Sequence, residues 1–278
     1  MPFMSVYFAS LNSGSNGNCY YIGNDSEAIL VDAGISCRET ERRMKKLGLP
    51  MNRVKAIFIS HEHGDHIKGV EGLSTKYRLP VYITQQTFSR SRLQLPPYAT
   101  VDFSPHQPII IGALTITAFP KQHDAVDAHS FIISCGSMNV GVFTDIGAPC
   151  ENFTSYFSQC HAAFLEANYD EQMLEDGKYP HHLKQRIRGG KGHLSNVQAL
   201  ELFTTYRPDF MSHLLLAHLS KENNCPELVT ELFRPHSGTT EVLVAPRTEP
   251  TEVFRLDETG AKHFSLRSEL KGVQASLF

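Results

Sequence analysis

The segment KAIFISHEHGDHIKG, residues 55–69, constrains this chain more than any other stretch. A short apolar run ends at Ser60, and four ligand-capable side chains follow at once: His61, His63, Asp65 and His66. Loops at strand C-termini are where rigid α/β scaffolds hold their chemistry. His61 and His63 are two apart, so in extended backbone both imidazoles project to one side and can grip one ion. Asp65 and His66 come after Gly64, whose conformational freedom would let the chain turn them toward a second ion. Nitrogen donors with one carboxylate suit zinc, manganese or iron rather than calcium.

The rest of the 278 residues supplies a scaffold of the right kind. Further β-type runs are expected at Ser5–Ala9, Ala28–Asp32, Lys55–Ser60, Val81–Thr84, Ile109–Phe119, Ser130–Ser134, Val140–Thr144, Ala162–Glu166, His213–Ala217 and Glu241–Ala245. Several are continuous apolar stretches, as in strands covered on both faces. Helical spacing is expected over Ser36–Leu47, Ser195–Tyr206 and Lys221–Phe233, with Arg42, Arg43, Lys45 and Lys46 of the first on its solvent side. No linker or repeat divides the chain, which predicts one mixed α/β layered domain. Residues 258–278 are polar with weak periodicity and read as a C-terminal extension. Candidate ligands recur at strand ends: Asp32 closes AILVD, Asp145 closes VGVFTD, His218 closes HLLLAH, and His123 follows in KQHDAVD. A lone Asp or His at a strand end is more often a cap or turn residue, but a two-metal site needs about seven protein ligands, and three more beside the H-x-H-x-D-H segment would complete one.

In these segments and their order the chain resembles the metallo-β-lactamase superfamily, and within it the YycJ/VicX/WalJ-type branch. The motifs are SGSNGN (13–18), LVDAG (30–34), HEHGDHIKGV (61–70), HDAVD (123–127), TDIG (144–147), LEANYD (165–170), GHLSN (192–196) and HLSKENN (218–224). The resemblance implies an α/β (α+β) fold, a four-layer αββα sandwich with its site along one edge. It would be a single domain over 1–257, in two related halves of about 1–135 and 136–257. It implies His61, His63 and His123 on one metal, Asp65, His66 and His218 on the other, Asp145 bridging, and Asp32 fixing the ligand loop from behind. It also implies a DNA-directed nuclease. One departure is Ala128-His129-Ser130 after HDAVD, where His129 is either a competitor of His123 or a structural residue.

Two divalent ions, zinc or manganese with iron also possible, would activate a bridging hydroxide and neutralise a phosphoryl group, with Asp65 orienting the nucleophile. Such a centre serves phosphodiesters, thioesters and lactams alike, so the substrate depends on residues beyond the ligands. The net charge is -3, so bulk electrostatics would not drive nucleic-acid or membrane binding. Yet GKYPHHLKQRIRGGKGH (177–193) carries Lys178, Lys184, Arg186, Arg188 and Lys191 with no acid. It leads into His193, a candidate to contact the scissile phosphate or protonate the leaving oxygen, with Glu166 holding its tautomer. Tyr179 is a candidate to stack on a base. SGSNGN reads as a hairpin turn.

The function expected is a two-metal phosphodiesterase acting on nucleic acid, which the resemblance narrows to a 5′ end-directed DNA exonuclease. A small-molecule phosphodiester or thioester hydrolase is the alternative, and a non-catalytic regulator a third reading. The six scattered cysteines and the N-terminal MPFMSVYFAS, which lacks a signal-peptide pattern, predict a reduced, cytoplasmic protein without membrane spans.

Overall fold

A computed structural model describes residues 4–257, and the expected extension over 258–278 lies outside the described residues. Strand alternation explains the layers. Val6, Phe8, Ile29 and Val31 face one way into a shared core, whereas Ala9, Ala28 and Leu30, their neighbours in sequence, face the other way into a second core. A strand apolar on both faces has to be covered on both.

The strands are β1 (Ser5–Asn12), β2 (Cys19–Gly23), β3 (Ala28–Val31), β4 (Val54–Phe58), β5 (Val81–Tyr82), β6 (Thr100–Val101), β7 (Ile109–Ile111), β8 (Leu114–Pro120), β9 (His129–Cys135), β10 (Met138–Phe143), β11 (Ala162–Glu166), β12 (His213–Ala217), β13 (Glu241–Val244) and β14 (Phe254–Asp257). They form two sheets, ordered β14-β1-β2-β3-β4-β5-β6 and β13-β12-β11-β10-β9-β8-β7. The central core lies between the sheets, where Phe164 packs 4.7 Å from Tyr20 and 6.0 Å from Phe8 across the interface. Truncating such a buried aromatic costs about 3–5 kcal/mol.

Helices α1 (Cys37–Leu47), α2 (Gly64–Ile67), α3 (Val70–Tyr77) and α4 (Gln85–Ser91) come from the first half of the chain. They are followed by α5 (Glu151–Phe157), α6 (Glu171–Asp176), α7 (His181–Arg188), α8 (Asn196–Tyr206) and α9 (Pro226–Phe233). Met44, Val70 and Leu73 of α1 and α3 cover the outer face of the first sheet, and Phe153, Phe203 and Phe233 of α5, α8 and α9 cover that of the second. The result is the expected αββα sandwich.

Four consecutive strands run parallel in each sheet, β3 to β6 and β10 to β13. Their C-terminal ends therefore open along one edge, which is where Asp32, His61, Asp145, Glu166 and His218 emerge.

Several expectations are corrected. The run Ile109–Phe119 is a hairpin, not one strand: Gly112, at φ +59°, lets Ile111 pair with Leu114. Strands β2, β6 and β14 were not marked by their local pattern. Helix α9 starts at Pro226 rather than Lys221, with the Cys225 Sγ accepting from Leu228 N at 3.4 Å. Arg43 is buried, not solvent-facing, because its guanidinium donates to Leu11 O, Asn12 Oδ1 and Thr248 O. The chain passes from the first sheet to the second between Val101 and Ile109, and residue 135 falls at the end of β9 within the second sheet. No helix of the described residues is long and apolar enough to cross a membrane.

Candidate metal centre

Three strand-end residues at the open edge share an unusual backbone. Asp32, Asp145 and His218 have φ of 59°, 56° and 57°, a left-handed conformation that costs a non-glycine residue energy and is tolerated where the surroundings enforce it. It turns each side chain sharply off its strand into the space between the sheet ends. Gly64, by contrast, opens α2 with an ordinary φ and open space around it, so the freedom expected of it is not used.

His61, His63 and His123 come together with the His61 Nε2 3.1 Å and the His123 Nε2 3.4 Å from the His63 Nδ1. Asp65, His66 and His218 form a second group, the Asp65 Oδ2 lying 3.6 Å from the His66 Nε2 and 3.7 Å from the His218 Nε2. Asp145 lies between them. Its Oδ2 is 3.2 Å from the His66 Nε2, and its Oδ1 is 3.6 Å from the His218 Nε2 and 3.9 Å from the His123 Nε2.

Each of four histidines spends its Nδ1–H on a partner behind it, which turns Nε2 inward. His66 donates to Asp32 Oδ2 at 2.7 Å, and His218 to Glu166 Oε1 at 2.9 Å. His123 donates to Gly192 O at 3.1 Å. His61 donates to the Ser60 Oγ at 2.9 Å, while that hydroxyl donates to Asp32 Oδ2 at 2.8 Å. Asp32 also accepts from Ser60 N at 2.8 Å, so it pins both ends of the ligand loop.

The inward side asks for positive charge. Asp145 Oδ2 and His218 Nε2 are buried with no hydrogen-bond partner, facing other donor atoms at ion-binding distances. Burial opposes charge on Asp145, yet His218 and His66 outweigh it and hold the carboxyl well below the usual range. Burial likewise opposes a proton on His218, but Asp145, Asp65 and Glu166 lift its pKa to about 10. His123, dominated by burial, is pushed down to about 4. This donor set, imidazole nitrogens and carboxylate oxygens with orphaned atoms between them, fits divalent ions. All seven ligands expected from the sequence are brought together.

His129 is not among them. Its ring is buried edge-on to Phe103 at 5.2 Å and donates to Asp127 O at 3.1 Å, a structural role that leaves the ligand position to His123. His193 sits over the centre, its ring 5.4 Å from His123 and 5.2 Å from His218. It donates from Nδ1 to Glu166 Oε1 at 2.7 Å, as expected. Glu166 is fully buried, accepts also from Ile146 N and Leu194 N, and is held down to about 2 because His193 and His218 outweigh its burial. It therefore positions two histidines and does not itself reach the cleft.

The basic stretch is less free than its sequence suggests. Arg186 Nε is bonded to Asp124 Oδ2, Arg188 to Glu175 Oε2, and Lys184 to Glu175 O. Lys191 makes no ion pair among the described residues. The acids come from outside the acid-free run, which local sequence cannot reveal.

Two residues of the site went unnoticed. Asn18, inside SGSNGN, brings its Nδ2 to 3.0 Å from the His66 Nε2 and 3.3 Å from Asp65 Oδ2, so that motif serves the centre as well as turning the chain. Asp124, beside His123 in HDAVD, brings Oδ1 to 3.4 Å from the His123 Nε2. Each stands in a motif already marked, which was the available signal.

A two-sheet sandwich with histidine–aspartate ligands along one edge is the metallo-β-lactamase arrangement. The profile of the Beta-lactamase superfamily domain matches residues 27–218, and the chain belongs to that superfamily, in its YycJ/WalJ-type branch. It is 32% identical over 262 residues to the Exodeoxyribonuclease YycJ of Bacillus anthracis, covering 93% of this chain and 97% of the relative. It is 31% identical over 235 residues to the Exodeoxyribonuclease WalJ of Streptococcus pneumoniae, covering 82% and 87%. Among solved structures, the metallo-β-lactamase fold protein YhfI of Bacillus subtilis superposes with a TM-score of 0.71 at 19% identity, over 91% of this chain and all of that one, which shows the shared fold.

Proposed function

We propose that this chain is a two-metal phosphodiesterase that degrades DNA from an end, as a 5′-directed exonuclease. The observation that carries the reading is the meeting of two three-residue ligand sets at Asp145, directly beneath His193 and the cleft it lines. Similarity over nearly the whole chain to relatives named exodeoxyribonucleases supports DNA as the substrate.

His61, His63 and His123 would hold one ion and Asp65, His66 and His218 the other, with Asp145 shared. Bound zinc, manganese or iron would supply Lewis acidity to a phosphoryl oxygen and to the attacking water. The protein's own contribution is orientation. Asp65, partly exposed beside the Asn18 amide, is placed to accept a hydrogen bond from the attacking water. His193, fixed through Nδ1 by Glu166, offers Nε2 toward the cleft, and in its doubly protonated form would give the Nε2 proton to the leaving oxygen. Arg186 lines the cleft and Lys191 precedes its Gly192 in the chain, so both would serve as phosphate contacts, Arg186 being bonded to Asp124. Surface pairs of this kind are weak and exchange readily for phosphate. A cytoplasmic place of action suits six cysteines that form no disulfide.

The pairing of Arg186 and Arg188 with acids favours a second reading, a hydrolase of small phosphodiesters or thioesters that needs no long phosphate track. One assay separates the two. Metal-replete protein is offered end-labelled single- and double-stranded DNA, RNA and a small phosphate bis-ester at graded salt. Release of nucleotides from a DNA end, falling steeply with salt, supports the nuclease. Turnover of the bis-ester alone would replace it with the second reading.

A further inference from the structure

Helix α7 sits at the cleft without belonging to the core. None of its residues is buried, and neither Leu183 nor Ile187 joins any of the three apolar clusters. These two side chains are four apart, hence on one helical face, and that face lines the cleft beside His193 together with Tyr179. Asn168 and Ser220 line the same cleft, as do Asp124 and Arg186. The α7 face thus gives the cleft an apolar wall among polar side chains, next to the histidines.

The wall is also built to a fixed place. A side chain on Gly192 would meet Ile187 O at 2.1 Å and Arg186 O at 2.2 Å, so only glycine allows the chain to fold back from α7 directly into His193. His193 N donates to Ile187 O at 2.9 Å, which ties α7 to that histidine. The apolar wall and the group facing the scissile bond are held as one piece.

We propose that the inner face of α7 is a nucleobase subsite, where Leu183, Ile187 and Tyr179 pack against the face of a base whose edge meets Asn168 and Ser220. A base has apolar faces and a polar rim, which matches an apolar wall with polar side chains around it, whereas an acyl chain would leave those polar groups without a partner. The inference rests on the nuclease reading and sharpens it. The enzyme recognises a nucleoside next to the phosphate it cuts, and does not read the backbone alone. Stacking of this kind tolerates any base, because each has a π-face.

The test uses single-stranded DNA, end-labelled, in which each of the first three residues in turn is replaced by an abasic tetrahydrofuran. At one position the abasic strand should be cut about tenfold less efficiently in kcat/KM by the unaltered protein. In the Leu183→Ala/Ile187→Ala variant that difference should shrink toward unity, because cleavage of the intact strand falls by a larger factor than that of the abasic strand. Binding of the same strands to metal-stripped protein, followed by fluorescence anisotropy, should show the same preference and its loss. Equal handling of intact and abasic strands by the unaltered protein, or a preference that survives the double substitution, overturns the subsite and leaves the nuclease standing. Failure to cut any DNA, with hydrolysis of a small bis-ester intact, removes the nuclease reading and the subsite with it.

Discussion

The two poles of the centre, one of three histidines and one of two histidines with Asp65, are backed differently. At one, His61 and His123 lean on neutral partners, the Ser60 hydroxyl and the Gly192 carbonyl, and His63 remains 31% exposed. At the other, His66 and His218 lean on the buried carboxylates of Asp32 and Glu166. A carboxylate behind an imidazole raises its basicity and strengthens it as a ligand. The carboxylate-backed pole should therefore bind its ion more tightly, and the neutral-backed pole should lose its ion first.

The most severe break is at the residue common to both poles. Asp145→Ala should lower DNA cleavage by roughly a thousandfold or more, and His63→Ala should do so while sparing the tighter site. Both should retain the circular dichroism of the folded protein. Wild-type rates in the two purified variants, with contaminating nuclease excluded, would sink the two-metal mechanism.

A smaller effect compares the backings directly. Glu166→Gln and Asp32→Asn should each weaken metal binding about 10–100-fold in a competitive chelator titration, and Ser60→Ala far less. Graded chelation of the unaltered protein should release one equivalent before the other. If both leave together, or if Ser60→Ala matches Glu166→Gln, the proposed asymmetry is wrong.

At the rim the charges are exposed, and the effects should be milder still. Neutralising Arg186 and Lys191 should raise KM for DNA more than it lowers kcat, and should reduce the slope of log affinity against log salt by about two. Kinetics on DNA that do not change would move the substrate toward small molecules.

The smallest effect tests carboxylates remote from the centre. Arg42 and Arg43 hold Glu39 down to about 2, against a usual value of 4.5, by hydrogen bonds that outweigh its burial. A depressed acid contributes stability above its unfolded pKa and loses it as pH falls through the folded one. Glu39→Gln should thus lower the melting temperature by about 3 °C near pH 7, with the gap closing between about pH 4.5 and 2. A gap that holds constant over that range would show that the ion pair contributes nothing.

The poles also differ in how openly they were written in the chain. The H-x-H-x-D-H run announces four candidate ligands, because residues close in sequence at a strand end have to be close in space. Helix boundaries at Ser36 and Ser195 were legible for the same local reason, since each hydroxyl accepts from a backbone N–H three residues on. Strands β2 and β14 were not, because partner strands complete them: β14 pairs with β1 across some 250 residues. The partners of Arg186 and Arg188 were hidden likewise, Asp124 being 62 residues away from Arg186 and Glu175 lying on the preceding helix.

By itself the sequence determined the chemistry on offer: which donors exist, which of them end strands, and that apolar alternation must place those strands in covered sheets. Only the tertiary structure decided how the donors are used. It brought Asp145 and His218 from the second sheet against His66 from the first, and placed one carboxylate, Glu166, behind both His193 and His218. Local pattern encodes a residue's type and facing, but a shared ligand or a common hydrogen-bond acceptor depends on distances between strands that meet only when two sheets pack.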